Sequence, residues 1–286
     1  MTATVAAMDT VAPAPGRKGR ASFAFARTQD RTFLARQQVG YPFHVTRPFH
    51  LEAEPAHLAT LYLQSASGGI YSGDDLAIDI EAAGDTGIHI TSQASTVVHD
   101  TRGAPARQVI HIDVGENSFM AFATDPLILF PGAAIEQFVT VRLGRGSAAL
   151  VTDAFLSHDP GGRQRPFGLY RSVVEIMDQD GARLAIDRTR IEGADLAGAV
   201  SPHGGFSASA SVFAAGFDTS GLPPEVLETA LAGPGTLCGA SELPNGAGIG
   251  MRILADGGVS LTRALERVFD TVFAARFGTP PSRRRK

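Results

Sequence analysis

Lysine is almost missing from this sequence: Lys18 and Lys286 are the only two, and both lie near the ends. Chemistry that needs a buried lysine, such as a Schiff base or a phosphate-loop lysine, is therefore nearly excluded. Cysteine occurs once, at Cys238, so no internal disulfide and no all-cysteine zinc site can form. Beside Gly239 and Ala240, that thiol reads as a small buried apolar residue. Tryptophan is absent, tyrosine occurs four times, and the arginines are scattered, so a base-stacking platform is not expected. A net charge of −4 gives no field for a polyanion. No run approaches the roughly 18 apolar residues needed to cross a bilayer. The stretch Met1–Gly16 lacks a basic segment followed by an apolar one, so no secretory signal is read and the cytoplasm is the expected compartment.

What is present is enough apolar residue to build a core: 44% of 286 residues are hydrophobic and 19% charged. Residues 1–18 read as a disordered tail, small and proline-containing. The closing "TPPSRRRK", residues 279–286, reads as a basic tail, solvated or touching an acidic partner. Between them the apolar period is mostly two. Leu76, Ile78 and Ile80 share one face, and so do Ile110, Ile112 and Val114. Further strands are expected at 21–26, 43–50, 58–64, 88–98, 119–123, 135–143, 147–156, 170–177 and 183–191, separated by Gly, Asp and Pro clusters. Helical spacing comes late. One helix is expected near 224–232, with Pro224 in its first turn and Gly233 as its stop. A second is expected at 260–277, capped by Ser260 and ended by Gly278, with Leu261, Leu265, Val268, Val272 and Phe273 as its apolar stripe. The expectation is a mainly β, many-stranded stack of β-helix type over 19–278, a single domain with two C-terminal α-helices and no exact repeat.

The stretch "GGIYSGDDLAIDI", residues 68–80, is the most distinctive. It is no phosphate cradle, because no lysine follows and a strand succeeds it in place of a helix. Nor do Asp74, Asp75 and Asp79 have the acid spacing of a calcium loop. It reads as a tight corner in which Gly68, Gly69 and Gly73 supply positive φ or close backbone approach. Asp74 and Asp75 either cap the turn or form an acidic site. His111 and Asp113 share a strand face and could bind a divalent metal with a third ligand, or simply face solvent. His99-Asp100 and His158-Asp159 sit in turns. "GFSASAS" around Ser207 is not a nucleophile elbow. In "GGRQRPFG", residues 161–168, Arg163, Arg165 and Phe167 make plausible partner anchors. No catalytic constellation emerges, which favours binding or scaffolding over catalysis.

Five pieces in order over residues 19–277 resemble the urease accessory protein UreD (UreH) family: "GRASFAFARTQDRTFLARQQVGYPFHVTRPF", "LYLQSASGGIYSGDDLAIDI", "GIHITSQASTVVHD", "DPLILFPGA" and "GASELPNGAGIGMRILAD". Gly162-Arg163 lacks the Gly-Glu pair that usually follows in the family, and the end of the Thr-Gln-Ala segment is His99-Asp100. The resemblance implies a non-catalytic scaffold that docks apo-urease with UreF and the GTPase UreG and assists nickel delivery. Nickel would pass transiently along an internal polar path, with no tightly bound cofactor and no role for nucleic acid or membrane. Asp74, Asp75 and Asp125 are the candidate path residues, because spaced oxygen ligands hold a borderline divalent ion weakly. Two other readings compete: a metal-dependent, cupin-like β-sandwich enzyme built on His111, Asp113 and another histidine, and a β-rich interaction module with no metal role.

Overall fold

The computed structural model describes residues 16–197 and 201–282. Residues 1–15 of the expected N-terminal tail and 283–286 of the basic tail lie outside these. Gly16 to Lys18 do not behave as tail: Arg17 pairs with Asp74 and Lys18 opens the first strand.

Among the described residues, seventeen strands alternate between two sheets. Sheet A contains β1 (Lys18–Thr28), β2 (Arg31–Val39), β5 (Asp75–Ala82), β8 (Ala106–Val114), β11 (Ala134–Leu143), β13 (Leu169–Asp178) and β14 (Arg183–Glu192), in the order β14-β13-β11-β8-β5-β1-β2. Sheet B contains β3 (Phe43–Val45), β4 (Ala59–Ser65), β6 (Gly87–Ser92), β9 (Phe119–Phe122), β12 (Ala148–Ser157), β15 (Ala208–Ala215), β16 (Thr236–Glu242) and β17 (Gly248–Ala255), in the order β16-β17-β15-β12-β9-β6-β4-β3. The middle of each sheet is parallel: β1, β5, β8, β11 and β13 in one, β4, β6, β9 and β12 in the other. Hairpin partners close the ends. The chain therefore winds rung upon rung, one strand per sheet per turn. Two short strands, β7 (Val97–Val98) and β10 (Leu127–Leu129), line up beside the end of β12 as a narrow third wall.

Alternation explains the winding. On β5, β8 and β11 every second residue is buried, and the opposite parity carries Asp79, Glu81, Arg107, His111 and Arg142 to solvent. The inward set packs against sheet B through Phe23, Ile78, Ile110, Val139, Ile88, Ile90 and Phe122, among others. Fully burying each such side chain stabilises by about 1.5–3 kcal/mol. The turns between rungs stack as tightly as the strands do: Gly115 N donates to Ala82 O at 2.8 Å and Gly144 N to Val114 O at 2.7 Å. A Cβ on Gly115 would lie 2.6 Å from Ala82 O, so only glycine fits that stack.

The described residues also form three α-helices: α1 (Gly193–Ala197), α2 (Pro224–Leu231) and α3 (Gly258–Phe277). The last two cover the outer face of sheet B, where Leu227, Leu231, Leu261, Val268, Phe269, Val272 and Phe273 pack on Leu150, Val212, Ile249 and Ile253. Strands β12 and β15 are thus buried on both faces, as parallel-sheet strands under helices are. Pro224 sits in the first turn of α2, and Gly278 ends α3 with φ 74°. Ser260 is not the cap of α3. The helix begins two residues earlier behind Gly257, with no side-chain cap.

Other expected bounds also shift. The strand expected at 43–50 stops at Val45, and the one at 88–98 breaks after Ser92 where the chain turns into the third wall. Strands β2, β10, β15, β16 and β17 were not expected from alternation. Cys238 is half-buried on the edge strand β16 beside Glu228, which raises its pKa above the ordinary value through burial and then the nearby carboxylate.

Candidate functional site

The inward parity of these sheets should be apolar throughout, and at one level it is not. In sheet A, Leu76, Gln108, Gln137, Ser172 and Thr189 are successive cross-strand neighbours from β5 to β14. In sheet B, Ser92 binds Asp125, while Asp153, Ser211 and Arg252 are successive neighbours across β12, β15 and β17. The two rows face each other and form a polar seam that crosses the rungs.

At one end the seam opens into a partly open cavity of about 80 Å³, room for several waters. Its polar walls are Gln64, Ser92, Gln108, Asp125, Gln137 and Thr152. Asp125 is held at both ends: its carboxylate accepts from Ser92 Oγ at 3.0 Å, and its backbone N donates back to that oxygen at 2.8 Å. Farther in, Gln137 Nε2 donates to Asp153 Oδ1 at 2.7 Å, and Tyr170 Oη donates to the same oxygen. Asp153 and Tyr170 are both buried, 3% and 1% exposed. Burial pushes the Asp153 carboxyl above the usual aspartate value against the help of Tyr170, and burial followed by the neighbouring Asp153 pushes the Tyr170 phenol well above 10. At the far end Arg252 reaches Thr189 Oγ1 at 3.0 Å and also engages Ser211 and Asp187. Its side chain is 54% exposed, so the seam surfaces there. Chemically, it offers single carboxylates and amide oxygens spaced apart.

The glycine corner borders the cavity through Gly69, Ile70 and Leu76. Gly69 and Gly73 have φ 136° and 68°. Gly68 needs no such conformation; it accepts a 2.9 Å contact from His99 Nε2 through its carbonyl. Asp74 is 1% exposed and serves the turn. It accepts from Arg17 N at 3.0 Å, Arg17 Nε at 2.9 Å and Tyr71 N at 2.9 Å, and pairs with the Arg17 guanidinium. Burial alone would raise its pKa, but these donors and the Arg17 charge hold it below the usual value. Asp75 points outward on sheet A, bound by Arg20 at 2.8 Å with Arg107 at 3.7 Å, and the Arg20 bond lowers its pKa.

The remaining candidates lie elsewhere. His111 and Asp113 are exposed on the outer face of sheet A, and Asp113 is paired with Arg142 at 3.1 Å. Among the described residues no three of His, Cys, Asp or Glu gather where they could hold a metal ion. In the loop after β12, Arg163 is exposed, while Arg165 is tied to Asp159 at 3.0 Å. Asp159 also accepts from the backbone N of Gly161, Arg163 and Arg165, so the loop has a fixed shape. Phe167 cannot anchor a partner: it is 3% exposed and packs edge-on against Phe155 in the core. The surface this loop presents is its arginines. Ser207 precedes β15, and its hydroxyl donates to the Asp256 carbonyl at 2.8 Å. Gln137, Asp153, Tyr170 and Arg252 were missed in the sequence. The available signal was parity, since Gln137 and Asp153 fall in step with Ile135, Val139, Val151 and Phe155 on inward positions.

These features define a two-sheet β-solenoid whose interior is crossed by a polar seam. Comparison with known proteins agrees on where such a chain belongs. The model of the UreD urease accessory protein family matches residues 17–286. Similar proteins include urease accessory protein UreD 1 of Methylorubrum populi, 43% identical over 272 residues covering 95% of this chain and 92% of the relative. They also include urease accessory protein UreD 3 of Bradyrhizobium sp. strain ORS 278, 41% identical with 95% and 96% covered, and urease accessory protein UreD 1 of Pseudomonas syringae pv. tomato, 32% identical with 94% and 96% covered. The chain belongs to the UreD family of urease accessory proteins.

Proposed function

We propose that this protein is a non-catalytic scaffold of urease maturation in the cytoplasm. It docks apo-urease together with UreF and, through UreF, the GTPase UreG, and it conducts nickel along its interior toward the urease site. The observation that carries this reading is the polar seam, because a purely structural solenoid has no need of a buried Gln137–Asp153 pair beside a cavity lined by half-buried Asp125. A divalent ion meets one carboxylate or amide at a time there. Spaced oxygen donors release such an ion readily, whereas clustered thiolates or imidazoles would trap it.

The path centres on Asp125, Gln137 and Asp153. Asp74 and Asp75, the acids of the glycine corner, do not line the cavity and are held by Arg17, Arg20 and Arg107, beside the Gly69, Ile70 and Leu76 that do line it. They belong to the proposal as the entrance frame, with Asp74 locking the turn. Partner contact is assigned to Arg163 and Arg165 on the loop braced by Asp159.

The experiment is co-expression with urease and the other accessory proteins. The variant Asp125→Ala/Asp153→Asn should still co-purify with UreF and urease subunits, while urease in that complex carries little nickel and little activity. Normal activation by this variant would dispose of the path. Loss of co-purification with an intact fold would point to docking instead.

A further inference from the structure

The inward parity of β14 carries Ala185, Asp187, Thr189 and Ile191. On β17, Arg252 takes the inward side, opposite to Met251 and Ile253 under the helices. Asp187 and Arg252 therefore end the two rows of the seam at the same place. One guanidinium spans the gap between the sheets. Arg252 reaches Thr189 Oγ1 in sheet A at 3.0 Å, engages Ser211 in sheet B and pairs with Asp187. Just inside them lies Ser172, the cross-strand neighbour of both Gln137 and Thr189, only 1% exposed. Its hydroxyl lies near Asp153 and Tyr170 but completes no hydrogen bond among the described residues. The charges of Asp187 and Arg252 both reach Asp153. The pair itself stands partly in water, with the Arg252 side chain 54% and that of Asp187 20% exposed. Such pairs hold weakly, so a competing carboxylate or a cation can separate them.

We propose that Asp187 is the terminal oxygen donor of the seam and that Arg252 is its removable counter-ion, closing the outlet. This deepens the cation-path reading above and rests on it. The chemistry is an exchange of partners on one carboxylate. While the guanidinium occupies Asp187, the outlet carries a positive charge and no free acid, and a divalent cation is repelled there. When Arg252 swings into solvent on its flexible stem, Asp187 is left as a bare carboxylate, next in line after Asp153. It then offers the cation one more weak oxygen ligand, this one at the protein surface.

The accessibility of a thiol placed at position 172 reads the closure with no partner protein present. In the full chain carrying C238S and S172C, modification by the cationic reagent 2-aminoethyl methanethiosulfonate should be slow. Adding R252A should speed it about tenfold or more, and should speed the anionic 2-sulfonatoethyl reagent far less, because a charge has been removed from the outlet. Nickel chloride alone should then slow the cationic labelling of the R252A protein, and adding D187N should abolish that protection. Should R252A fail to fold by circular dichroism, R252Q serves in its place, keeping an amide donor for Thr189 and Ser211 without the charge. Unchanged labelling, or nickel protection that survives D187N, would overturn the proposal. So would equal acceleration of both reagents, which is what loss of a purely structural clasp gives. Labelling opened as expected, with full urease activation by Asp125→Ala/Asp153→Asn, would defeat the path alone. Inactive path variants with labelling indifferent to Arg252 would defeat the outlet alone.

Discussion

Gln137 on β11 and Asp153 on β12 meet across the interior, amide nitrogen to carboxylate oxygen at 2.7 Å, and tie the two sheets together at the middle rung. Both residues occupy positions whose neighbours on the same face are Ile, Val and Phe. Burying a carboxyl there costs stability unless it is hydrogen-bonded or protonated. The pair is thus a departure from the packing logic of the fold, at the inner edge of the cavity that Gln137 lines.

Asp153 should make stability depend on pH in an unusual direction. Its folded pKa lies above the ordinary 3.8, chiefly through burial. The folded state then holds the proton more tightly than the unfolded state, so this contribution is full below 3.8 and fades as pH rises toward the folded pKa. Asp153→Asn keeps the acceptor for Tyr170 and Gln137 but removes the titration. Its thermal midpoint should fall less than that of the wild type as pH rises from 4 toward neutrality. Parallel curves for the two proteins would refute the assignment.

Asp74 should behave oppositely. Its donors hold its pKa down despite burial, so the stability it confers is present above 3.8 and is lost as pH falls through the depressed value. Asp74→Ala leaves the Arg17 guanidinium unpaired. Arg17 is partly exposed, which moderates the penalty to about 2 kcal/mol. Asp75→Ala, at an exposed pair, should change stability by less than about 1 kcal/mol. Denaturant titration of the two variants compares them directly, and equal effects would contradict the turn-locking role.

Gly69→Ala tests the corner itself. A Cβ there would sit 2.3 Å from Val97 O, in a backbone with φ 136°. Clash and conformational strain together should cost about 2 kcal/mol or more. The measurement is the urea midpoint, and a change within error would mean the corner can relax.

The loop after β12 should lose its fixed shape in Asp159→Ala, because one carboxylate organises three backbone N–H groups and Arg165. Co-purification with accessory partners should then weaken in parallel with Arg163→Glu. Retained capture by both variants would move the contact surface elsewhere.

How far the sequence led depended on which faces each strand shows. Strands β5, β8, β11 and β13 have one solvated face, so their alternation was readable. Strand β2 is a charged edge strand, and RTFLARQQV offers little apolar pattern to find. Strands β15 and β17 lie between the core and α3 and are buried at most positions on both faces, β15 being built largely from Ala and Ser, so alternation vanished. Helix α3 was legible because its stripe docks on a single surface. Asp125 was found through resemblance. Asp153 escaped because it sits inside the apolar run AALVTDAFLS, where a lone acid looks like a strand end until the opposing sheet is in place.

The most direct test of the central claim is the nickel content of urease matured with Gln108→Leu/Gln137→Leu, measured by metal analysis on a complex shown by co-purification to be intact. Leucine at both positions turns the cavity-side row apolar while keeping approximate volume. Urease should emerge from that complex with at least tenfold less nickel than with the wild-type protein. A full complement of nickel, passed through an interior stripped of its polar row, would contradict the claim that the seam conducts the ion.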